Sequence, residues 1–78
     1  MKQRITLVPS NITDVTMYEN EQYVELVIAF VATDTPYRIK RTFMDGDNKE
    51  QEIAKYNEIY EKIVQALLRH SSIVQIEL

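Results

Sequence analysis

The chain has 78 residues, 45% hydrophobic and 27% charged, with a formal net charge of -3 at pH 7. That balance describes one folded domain over residues 1–78, too apolar for disorder and small enough to bury only about 60% of the surface its unfolded chain exposes. No cysteine and a single glycine are present, which excludes disulfides, thiolate metal sites, cysteine nucleophiles and glycine-rich phosphate loops, and favours a reducing compartment.

At the N-terminus, MKQRITLVPS holds a strand candidate, RITLV, whose apolar run breaks at Pro9. This is far short of a signal peptide's apolar region or a membrane span, so a cytoplasmic protein without a membrane segment is expected. From Ile12 to Tyr18 apolar and polar residues nearly alternate, as in a half-buried strand. A turn at Asn20-Glu21 follows, Asn being tolerant of positive φ. A two-residue turn pairs Met17 with Val24, Val15 with Leu26 and Thr13 with Ile28, with the larger apolar side chains on one face.

The segment TDTP ends the second strand of that hairpin, because Pro36 cannot continue a central ladder. A third strand, Tyr37 to Met44, then pairs Phe30 with Ile39 and Leu26 with Phe43, again on the same inner face. The Asp45-Gly46 turn leads into a helix from Asp47 to Arg69, with Asp47 as the expected N-cap and Glu50 completing a capping box. Ile53, Tyr56, Tyr60, Ile63, Val64 and Leu67 form its packing stripe, opposite Gln51, Lys55, Glu58, Lys62, Gln65 and Arg69. Ser71-Ser72 stops the helix, and IVQIEL reads as a last strand with Val74, Ile76 and Leu78 inward. The predicted fold is α+β in two layers: an antiparallel sheet of three to five strands with one long helix on one face, in the order β(β)ββαβ.

Assigning Val24, Leu26, Ile28 and Phe30 to the helix side leaves Tyr23, Glu25, Val27, Ala29 and Val31 on a face that no second helix covers. The same register turns Ile12, Asp14, Thr16 and Tyr18 outward on one flank and Arg38, Lys40 and Thr42 on the other. Val27, Ala29 and Val31, flanked by Tyr18 and Tyr23, would make an apolar patch of the kind that marks an association surface, and a homodimer is expected. Charge is sorted as well: between Arg4 and Arg38 the sequence holds Asp14, Glu19, Glu21, Glu25 and Asp34 and no basic residue, whereas YRIKR gathers Arg38, Lys40 and Arg41.

The single histidine, His70, has no second His or Cys to form a transition-metal site, and DGDN departs from the calcium-loop pattern because Glu50 stands where that loop needs Gly. Ser71 and Ser72 beside His70 do not make a triad by adjacency alone. No catalytic residue, metal or cofactor is therefore expected, and the protein is not read as an enzyme. The function expected is a small acidic interaction module, a regulator, adaptor or inhibitor, contacting a larger protein, with basic or nucleic-acid-binding proteins among the candidate partners. Its candidate contact residues are Tyr18, Glu19, Glu21, Tyr23, Glu25, Val27, Ala29, Val31, Arg38 and Lys40. Direct nucleic-acid binding through Tyr37 to Arg41 is the alternative, opposed by the negative net charge; a purely structural homodimeric subunit is the second alternative.

Overall fold

Alternating side chains build five strands and a regular apolar stripe builds one helix, in the order β1 (Arg4–Leu7), β2 (Ile12–Glu19), β3 (Tyr23–Phe30), β4 (Tyr37–Thr42), α1 (Lys49–Leu68) and β5 (Val74–Glu77). The computed structural model describes residues 3–78. A short 3-10 turn at Pro9–Asn11 joins β1 to β2. The architecture is α+β, as the sequence predicts, with α1 packed on a sheet. The strands divide into two antiparallel sheets, β2-β3-β4 and a β1-β5 ribbon. The helical crossover thus returns the chain to β1 rather than to the three-stranded sheet.

The inner face of β3 is the centre of the core: Val24, Leu26 and Ile28 are each 0% exposed. Ile39 of β4, Val15 of β2, Ile63 of α1 and Leu7, Val74 and Ile76 of the ribbon complete it. Each such aliphatic side chain contributes about 1.5–3 kcal/mol when fully buried. Among the described residues no polar or charged one is buried.

Both hairpins differ from the expected register, in each case by an even number of residues. Met17 lies opposite Leu26 and Val15 opposite Ile28, because the two turn residues are Glu21 and Gln22, one position later than expected. Asn20 shapes it with its side chain: Oδ1 accepts from the backbone N–H groups of Gln22 (2.8 Å) and Tyr23 (2.9 Å), an Asx-type turn rather than one needing positive φ. Likewise Ile39 lies opposite Leu26, not Phe30, because the β3–β4 connection takes up Val31–Pro36. The Thr33 hydroxyl accepts from the Thr35 N–H within it at 3.2 Å. An even shift keeps every side chain on its face.

The exception is Ile12, expected outward and found buried at 7% exposure. A bulge between Ile12 and Asp14 sets Ile12 opposite Phe30 and Asp14 opposite Ala29, leaving Thr13 as the extra residue. Thr13 is exposed instead of facing Ile28.

Asn48, not Asp47, caps α1, accepting from the Gln51 N–H at 3.2 Å. The Asp47 carboxylate folds back to accept from the Met44 N–H at 2.7 Å and holds Arg41 at 3.4 Å. The deepest line of the helix is Tyr56, Ile59, Ile63 and Ala66. Ile53, Tyr60, Val64 and Leu67 of the expected stripe are half-buried beside it, so the stripe is displaced toward residues that the sequence reading passed over. At the other end His70 takes the left-handed conformation (φ 53). Ser71 N–H reaches the Ala66 carbonyl and His70 N–H the Leu67 carbonyl, at 3.0 and 3.3 Å, the paired closure that ends many helices.

Candidate functional site

Strict alternation in β3 carries Tyr23, Glu25, Val27 and Ala29 to the outer face, opposite in direction to the fully buried Val24, Leu26 and Ile28. The registers then lay out rows across the sheet: Thr16–Val27–Arg38, Tyr18–Glu25–Lys40, and Asp14 beside Ala29. Arg38 holds the Glu25 carboxylate at 3.5 Å, and the Lys40 ammonium sits over the Tyr23 ring at 4.3 Å. Tyr23, Glu25, Val27 and Ala29 are all half-buried. Val31 lies past the end of β3, in the following turn, and is 66% exposed. The expected apolar patch is thus interrupted: Val27 lies between Thr16 and Arg38, and Val31 stands apart.

Of the acids between Arg4 and Arg38, Glu25 lies on central β3 against Arg38, and Asp34 lies in the β3–β4 connection; the others lie on one edge and its turn. β2, an edge strand, carries Asp14 and Glu19 and no basic residue; Glu21 is in the turn. β4, the opposite edge, carries Arg38, Lys40 and Arg41 and no acid. Tyr18, 51% exposed, stands on the outer face next to this acidic end. Glu19, opposite the inward Val24, belongs to the other face, where it lines a groove between β2 and α1.

That groove, about 740 Å³, is bounded by Val15, Thr16, Met17 and Glu19 of β2 and by Glu50, Ile53, Ala54, Asn57 and Tyr60 of α1. Its helical wall was not singled out from the sequence. In the sequence Glu50 is accounted for as a capping residue, and Ala54, which is exposed in the structure, carries no signal of an open flank.

A smaller cleft of about 280 Å³ is formed by Arg41, Glu52, Lys55, Tyr56 and Leu78. Burial pushes the Tyr56 hydroxyl above its ordinary 10.0, Glu52 adds to the rise and Arg41 opposes it. A phenol so placed stays protonated at neutral pH and is no general base there. Arg41, the third cation of YRIKR, is drawn to the helix side by Asp47 at 3.4 Å and Glu52 at 3.8 Å. Among the described residues no group of three or more His, Cys, Asp or Glu could hold a metal ion, and no helix is long and apolar enough to cross a membrane.

No protein-family model, curated protein or solved structure matches the chain, so its function is read from this geometry.

Proposed function

We propose that the protein is a small non-enzymatic interaction module, a regulator, adaptor or inhibitor, that docks the acidic end of its β2–β3 hairpin and the adjoining outer face onto a basic surface of a larger protein. The observation that carries this reading is the segregation of charge: acids on β2 and its turn, cations on the far edge β4. An acidic edge steers an oppositely charged partner, raising the association rate and making it sensitive to salt. Exposed Tyr18 beside the acids supplies the aromatic contact that interfaces favour. A cytoplasmic setting belongs to the same reading, supported by the absence of cysteine from the sequence.

Site-specific photo-crosslinking tests it. A crosslinker in place of Tyr18 or Glu21 is expected to capture a basic protein in cells, with the yield lost on charge reversal at Glu19 and Glu21. Equal capture from Glu58, on the solvent side of α1, or capture of nucleic acid in place of protein, would count against it.

A further inference from the structure

We propose that the open edge of β2, with the α1 flank beside it, takes up an extended lysine- or arginine-bearing segment of the partner protein as a fourth strand of the β2-β3-β4 sheet. This rests on the docking reading above and specifies how the partner is held.

The backbone supplies the first reason. The Asn20 N–H donates to the Tyr23 carbonyl at 3.0 Å and closes the hairpin. Pairs along an antiparallel ladder alternate between bonded and non-bonded. Counting from Asn20–Tyr23 through the observed register, Tyr18, Thr16 and Asp14 bond to β3, while the N–H and C=O groups of Glu19, Met17 and Val15 point away from it. No strand among the described residues pairs with that side. The other edge of the sheet is guarded: β4 follows Pro36 and carries Arg38, Lys40 and Arg41, the residues that keep edges from pairing. β2 has neither Pro nor Lys nor Arg.

The groove supplies the second. Glu19, Met17 and Val15 turn their side chains to the α1 side, so a strand added at this edge would set alternate side chains into the 740 Å³ space against Met17, Ile53, Ala54 and Tyr60. A volume of that order suits a few side chains.

Charge chooses the occupant. Glu19 and Glu50 both line the groove, and among the described residues no cation does. Lys49, next to Glu50, sits 5.8 Å from the Phe43 ring centre. A second copy pairing through its own β2, which has neither Lys nor Arg, would bring no cation to the groove, whereas a segment with both apolar and cationic residues at its groove-facing positions offsets the acids.

The probe is an acetylated, amidated synthetic peptide whose groove-facing positions carry valine and lysine in turn, with threonine between them, titrated at low salt and followed by NMR and amide exchange. Binding is expected to shift the amides of Val15, Met17 and Glu19 and slow their exchange, and to shift the Ala54 methyl. Backbone N-methylation of the peptide, which preserves its charge but removes edge donors, should weaken binding about tenfold or more. Ala54→Arg, at an exposed position, should weaken it similarly without unfolding the protein. Equal binding of the N-methylated peptide, no binding of the parent peptide, or unchanged exchange at Val15, Met17 and Glu19 would overturn strand addition. So would slowed exchange there that rises with protein concentration alone, which would assign the edge to a second copy. If any of these occurs while crosslinking from Tyr18 and Glu21 still captures a basic protein, only strand addition falls; if that crosslinking fails too, the docking reading falls with it.

Discussion

Glu19, at the end of β2, and Glu50, in the first turn of α1, line the same groove from opposite walls. Glu50 also sits at the positive end of the helix dipole, where a carboxylate is favourable, whereas Glu19 is an exposed strand residue with no comparable structural role. Glu19→Lys is therefore expected to weaken binding of the basic partner and flatten its salt dependence, while stability changes by no more than about 0.5 kcal/mol. Glu50→Lys should weaken binding and also cost about 0.3–1 kcal/mol of stability. Paired affinity measurements and urea denaturation separate the two; an equal stability loss for both would show that Glu19 is structural.

The first turn depends on one side chain. Asn20 Oδ1 accepts two backbone N–H groups, those of Gln22 and Tyr23. Asn20→Ala removes both bonds at an exposed site, for an expected loss of about 1–2 kcal/mol and faster amide exchange at Tyr23. Unchanged stability would mean that the ladder alone defines the turn.

His70 occupies a position that glycine ordinarily fills, at φ 53. Its strain is offset by the closure of the Ala66 and Leu67 carbonyls. His70→Gly removes the strain and keeps the bonds, so the midpoint of denaturation should rise by the equivalent of about 0.5–1 kcal/mol. A fall would show that the imidazole itself stabilises the helix end.

Tyr56 titrates above its ordinary 10.0 in the folded chain, chiefly because it is buried. A group whose folded value is raised contributes stability that is complete below the unfolded value and is lost as pH rises through the folded one. Stability should therefore decline above about pH 10 more steeply in the native chain than in Tyr56→Phe. Parallel denaturation curves at pH 8 and pH 11 check this; identical slopes would contradict it.

The inside and outside of β3 were legible because periodicity fixes faces independently of exact pairing. Expecting Met17 opposite Val24 and finding it opposite Leu26 moves the ladder without turning a side chain over. Turn placement was not legible, because it depends on the Asn20 bonds and on the long Val31–Pro36 connection. Nor was the bulge that buries Ile12, since nothing in ITDV marks Thr13 as the extra residue. The acidic end could be read as far as Tyr18, Glu19 and Glu21. Its groove could not, because Glu50 and Ala54 meet β2 only through the placement of the helix on the sheet, a tertiary relationship that no local spacing encodes.

On the proposed function, a basic partner is engaged by the acidic end of the β2–β3 hairpin. Amide-shift mapping of the labelled protein, alone and with the partner captured from Tyr18 or Glu21, tests it most directly. The largest changes are expected from Val15 through Glu25, diminishing as salt is raised. Changes centred on Arg38, Lys40 and Arg41, or on the helix face carrying Gln51, Lys55, Glu58 and Lys62, would contradict it.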